Sequence, residues 1–118
     1  MSECIFCMVA NREIPSKVVF EDEMVLAFDD IAPQGPVHTL IIPKDHYADL
    51  GDGVPAELFG RLLDTVVRVA EIKGIDTSGY RVIINSGRDA SQTVNHLHVH
   101  VIGGRQMSHG MVNFAENS

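Results

Sequence analysis

Three histidines stand at every second position in His96-Leu97-His98-Val99-His100. Side chains alternate across an extended strand, so the three imidazoles share one face, roughly 6.5–7 Å apart. Leu97, Val99 and Val101 then share the opposite, apolar face, which suits covering a core. A single histidine is ordinarily a packed or surface residue, but three at strand period on an otherwise apolar segment ask for chemistry. Two kinds fit. Imidazole nitrogens are good zinc ligands, and one imidazole can attack an electrophile while its neighbours set its tautomer and steady developing charge. Metal-dependent hydrolases built on His-x-His usually add carboxylates, whereas this run continues Val101-Ile102-Gly103-Gly104 without an acid. The pattern therefore favours nucleophilic attack by one of the three imidazoles.

The elements that must position this row follow from periodicity and breakers. Cys4 to Ala10 is short and apolar and reads as a helical turn packed on the body. Lys17 to Glu21 and Val25 to Phe28 read as a hairpin joined by the acidic turn Asp22-Glu23. Asp29 to Pro36 carries prolines and a glycine and is a loop, and Val37 to Ile42 is a strand stopped by Pro43. Pro55 suits the first position of a helix. Leu58, Leu62, Val66, Val69 and Ile72 recur at helical steps, with Phe59, Leu63, Val67 and Ala70 beside them, until Gly74 ends the segment. Tyr80 to Asn85 and Val94 to Ile102 read as strands, with a polar loop from Ser86 to Thr93 between them and an irregular tail after Gly103-Gly104. Strands flanking one long helix imply an α+β domain with a largely antiparallel sheet, one long amphipathic helix and a short N-terminal helix.

Composition narrows the partners. A chain of 118 residues is a single domain, spanning 1–118, with enough length for its own core. The net charge of −7 and the scattered Lys and Arg argue against nucleic acid as a partner, since phosphate neutralisation needs a clustered basic surface. A small phosphate ligand stays open, because backbone N–H groups and neutral histidines can hold it. No stretch approaches the ~20 apolar residues of a membrane span, and no basic start precedes an apolar run, so neither membrane insertion nor secretion is expected. Two cysteines in such a chain read as reduced thiols of a cytoplasmic protein.

His96-Leu97-His98-Val99-His100-Val101-Ile102 resembles the H-φ-H-φ-H-φ-φ motif of the histidine triad (HIT) superfamily, where φ is apolar. The resemblance extends along the chain through Cys4 to Asp22, Leu26 to Gln34 and Gly35-Pro36-Val37-His38, a stretch similar to the family's nucleotide-binding segment. Gly103-Gly104-Arg105-Gln106-Met107 after the triad is similar to the Hint branch, the purine nucleoside phosphoramidases. That resemblance implies hydrolysis of the P–N bond of a purine nucleoside 5′-monophosphoramidate through a nucleotidyl-histidine on His98. It implies that His100 donates to the phosphate, with His38 a further catalytic histidine. Asn85, Gln92 and Thr93 match the family's polar phosphate contacts, and Asp30 its acceptor for the ribose hydroxyls. Phe6, Val9, Ile14, Phe28 and Ile31 would wall the base slot, although core packing explains apolar residues equally well and loop capping is an ordinary role for Asp30.

Cys4-x-x-Cys7 lacks the βαβ setting of a redox motif, while two thiolates with two imidazoles make a closed tetrahedral zinc site. The resemblance implies structural zinc on Cys4, Cys7, His46 and His96, which would commit His96 to structure. It implies no organic cofactor, a homodimer, and a purine nucleotide as ligand. The end of the chain, Ser108 to Ser118, departs from the Trp-Pro-Pro-Gly of animal Hint members and is closer to bacterial ones. His109 in it has no expected role beyond exposure. Two other functions fit the same residues: a dinucleoside polyphosphate hydrolase, and a nucleotide-binding or scaffold protein without turnover.

Overall fold

Among the described residues, the β-branched and apolar runs fold as five strands, β1 (Val18–Glu21), β2 (Val25–Asp29), β3 (Val37–Pro43), β4 (Tyr80–Ile83) and β5 (Val99–Gly103). Two helices accompany them, α1 (Ile5–Ala10) and α2 (Ala56–Lys73), with a 3₁₀ turn at Arg88–Ala90. This is a computed structural model describing residues 4–109, so the tail from Gly110 onward lies outside the described residues. The sheet is antiparallel throughout, in the order β1-β2-β3-β5-β4.

Strand alternation divides the interior into two cores. On one face Val25, Ala27, Ile41, Val99 and Val101 meet Leu58, Leu62, Val66, Val69 and Ala70 of α2. On the other, Leu26, Phe28, Leu40 and Ile42 meet Phe6, Val9 and Ala10 of α1. His38, His98 and His100 share this second face, whereas Thr39 and Asp29 face α2, where Lys73 in its last turn sits 2.8 Å from Asp29.

Four expectations are corrected. Pro55 caps α2 from outside, with extended backbone, one residue before the helix. Ile72 does not join the core; with Leu63 and Val67 it is about half exposed (47%, 55% and 52%), so the apolar band of α2 is wider than the sheet can cover. The strand expected from Val94 pairs only from Val99, because the backbone before it bends and bonds elsewhere: Leu97 N–H donates to Tyr47 O at 2.7 Å and the Gln92 amide to Val94 O at 2.8 Å. Side-chain alternation nevertheless persists, with Leu97 in the α2-facing core. Similarly, β4 ends at Ile83, two residues before Asn85. The short N-terminal helix forms as expected, its Cys4 Sγ accepting from the Cys7 N–H.

Candidate active site

The register Leu40↔His100 and His38↔Ile102 brings β3 and β5 together so that the His38 and His100 rings lie 5.1 Å apart, and the His98 ring is 5.0 Å from His100. A chain of hydrogen bonds fixes where the protons sit. The Gln34 N–H donates to His38 Nδ1 at 3.0 Å, so the neutral His38 carries its proton on Nε2. That N–H donates to His100 Nδ1 at 2.9 Å, which places the His100 proton on Nε2. Independently, His98 Nδ1–H donates to the carbonyl of His96 at 2.7 Å, leaving the lone pair of His98 Nε2 unengaged among the described residues. Burial holds His38 below the ordinary imidazole range, opposed by Asp30. It pushes His100 to about 4, aided by His98 and His38 and opposed by Asp30. Both rings are therefore neutral donors at neutral pH.

His98 and His100 border a cavity of about 250 Å³. Phe6, Val9, Ile14 and Phe28 line it, with Asp30, Thr93, His98 and His100. Phe6 packs edge-on against His98 at 5.1 Å and Phe28 at 5.7 Å. Leu40 also lines it, and its signal in the sequence is its place two residues after His38 on one face. Ile31 also lines it, at the rim, with its side chain exposed. Asp30 caps its loop, Oδ1 accepting from Ala32 N–H at 2.9 Å, and its Oδ2 lies 3.4 Å from His38 Nε2 at the cavity edge. The absence of an acid along the triad segment is thus made good in space by Asp30, which clusters with His38 and His100. A larger open groove of about 670 Å³ adjoins, sharing Asp30 and Ile31 and carrying Lys17 and Lys73.

Two expected phosphate contacts sit differently. Gln92 spends its whole amide on backbone: Oε1 accepts from Gly87 N–H at 2.7 Å, and Nε2 donates to Ala48 O and Val94 O at 2.7 and 2.8 Å. It staples the loop that carries Thr93. Asn85 is half-buried beyond β4, outside the residues lining the cavity. His109 is exposed, as expected.

Cys4, Cys7, His46 and His96 converge so that their donor atoms all lie within 4.8 Å of one another, on the far side of His96 from the cavity. His96 Nε2–H donates to Pro43 O at 2.9 Å, which turns its Nδ1 lone pair towards the thiols at 3.4 and 3.5 Å. Sequence spacing carries no sign of either carbonyl, Pro43 or His96, that orients these rings.

The model of the HIT domain matches residues 11–107. The chain is 44% identical over 108 residues to the purine nucleoside phosphoramidase of Escherichia coli K12, covering 89% of this chain and 90% of that one. It is 47% identical over 115 residues to the 14 kDa zinc-binding protein of Brassica juncea, covering 90% and 96%. Its fold superimposes with a TM-score of 0.88 on the crystal structure of a HIT family hydrolase from Legionella pneumophila, at 44% identity over 92% of this chain and 98% of that one. With its triad on the sheet face opposite α2 and likeness along nearly its whole length, the chain belongs to the HIT domain family, as a hydrolase.

Proposed function

We propose that the chain hydrolyses purine nucleoside 5′-monophosphoramidates, and the observation that carries this is His98: Nδ1 is held by a carbonyl and Nε2 is left to attack within an apolar cavity. The Nε2 lone pair bonds to phosphorus as the P–N bond breaks, and the departing nitrogen leaves as an amine after gaining a proton. His100 Nε2–H donates to a non-bridging phosphoryl oxygen, kept in that tautomer by His38. Water then displaces the imidazole and yields the nucleoside monophosphate. Phe6, Val9, Ile14 and Phe28 hold the base, Asp30 accepts from the ribose, and Thr93 serves the phosphate. The activity named for the Escherichia coli relative supports this assignment.

Cys4, Cys7, His46 and His96 suit zinc. Zn–S of about 2.3 Å and Zn–N of about 2.0–2.1 Å in a tetrahedron need S···N edges of about 3.5 Å and an N···N edge of about 3.3 Å. The Cys4–His96, Cys7–His46 and Cys7–His96 Sγ–Nδ1 separations are 3.4, 3.3 and 3.5 Å, the two Nδ1 atoms are 3.2 Å apart, and all four donors lie within 4.8 Å of one another. Bound there, zinc is structural, tying α1 to the triad segment, and the proposed chemistry needs nothing from it. A homodimer is supported by the exposed Leu63, Val67 and Ile72 of α2 and by Val82 on the edge strand β4.

The test is turnover of adenosine 5′-phosphoramidate with mass spectrometry of the quenched protein. We expect an adenylyl adduct on His98, and a His98→Ala variant that still binds AMP but loses several orders of magnitude in rate. Near-normal turnover in that variant defeats the mechanism, and faster turnover of diadenosine polyphosphates would reassign the substrate.

A further inference from the structure

The thiol–imidazole cluster and the nucleotide cavity meet at two residues. The first is His96, which is fully buried and committed at three atoms. Its Nδ1 faces Cys4 and Cys7, its Nε2–H is on Pro43 O, and its carbonyl receives His98 Nδ1–H at 2.7 Å. The second is Phe6, which lies between the two cysteines in sequence and lines the cavity. Its ring is edge-on to His98 at 5.1 Å, to His96 at 6.0 Å and to Phe28 at 5.7 Å. Helix α1, which presents both Phe6 and Cys7, has only six residues. That is far below the length at which a helix holds itself, so its position depends on what its ends and its apolar face are attached to.

We infer that metal at Cys4, Cys7, His46 and His96 and nucleotide in the cavity bind cooperatively, with His96 and Phe6 as positioning residues for the nucleophile. A cation drawing the four ligands together fixes α1 and the main chain at His96. That sets the wall on which the base rests and the carbonyl that orients His98. Nucleotide packed against Phe6 presses the same helix into the same place. Each ligand therefore finds already arranged what it would otherwise have to order, and the metal site acts on the chemistry through position alone. This inference rests on reading the cavity as a nucleotide site.

The experiment uses the full chain loaded with zinc. Equilibrium transfer of zinc to a chromophoric chelator is measured with and without saturating AMP, and AMP is titrated calorimetrically into the zinc-loaded and zinc-free chain. We expect AMP to tighten zinc about tenfold, and zinc to tighten AMP by the same factor, because coupling between two sites is reciprocal. Phe6→Leu keeps all four ligands and should cut the factor by about threefold or more, the worth of a packed aromatic pair. If the zinc-free chain unfolds, the chelator measurement on loaded parent and loaded Phe6→Leu still decides. An undiminished factor in Phe6→Leu would mean that AMP merely stabilises the whole fold, which overturns the inference. Equal AMP affinity with and without zinc overturns it and leaves the nucleotide reading standing, whereas no AMP binding in either form removes both.

Discussion

Acidification should expose His100 as a stabilising group only while it is neutral. Its imidazole is pushed from 6.5 to about 4, first by burial and then by His98 and His38, with Asp30 opposing. At pH 7 about one ring in a thousand is then charged, which is why His100 serves the phosphate as a hydrogen-bond donor and not as a cation. Between those two values the unfolded chain binds a proton that the folded chain refuses. The contribution is therefore complete above about pH 6.5 and is lost as pH falls towards 4. At about 1.36 kcal/mol per unit the shift has a ceiling of about 3 kcal/mol, and nearer half of that because the ring is partly reached by solvent. The assay is urea unfolding of the parent and His100→Asn at several pH values across this window. The parent should lose about 1–2 kcal/mol more than the variant on acidification. In the folded parent, the His100 ring-proton resonance should titrate with a midpoint near 4. A midpoint near 6.5, or parallel pH dependence in the two proteins, would refute the reasoning.

Gln92→Ala removes three hydrogen bonds to Gly87, Ala48 and Val94 and should cost about 2–3 kcal/mol in urea unfolding, with slower turnover because Thr93 loses its support. A loss of activity at unchanged stability would instead make Gln92 a ligand contact. Gly104 has φ +95°, and a Cβ there would lie 2.9 Å from Pro36 Cβ, so Gly104→Ala should lower the midpoint of thermal unfolding by several degrees, at a cost above about 1 kcal/mol. Leu63→Glu should turn a dimer into a monomer in sedimentation while leaving the fold intact, since the side chain is 55% exposed within one chain; an unchanged mass would place the contact elsewhere.

Much of this was legible in the sequence because local periodicity carries it. Alternation at residues 97–101 separated histidines from core residues, and it did so even where the segment bends away from ladder pairing. The long helix, its glycine stop and the N-terminal turn also followed from local pattern. What local pattern lacks is distance across the fold. Asp30 joins the histidines only because β2 and β3 bring its loop beside His38. Gln92 matched a phosphate contact through the family resemblance, and only the approach of Ala48 and Gly87 makes it a staple. Helical spacing likewise marked Ile72 as core, although its side chain is about half exposed. Backbone carbonyls, which orient both His96 and His98, have no residue type to announce them.

The strand order has a consequence for how this molecule is made. The last of the described strands in sequence, β5, sits between β3 and β4, so β4 gains its described neighbour only when β5 arrives. A growing chain can pair its first three strands early, through short loops, whereas the contact of His38 with His100 spans 62 residues. Closing so long a separation is slow compared with forming hairpins. Sheet completion and assembly of the histidine cluster are thus one late event, and a chain truncated before residue 99 would lack both.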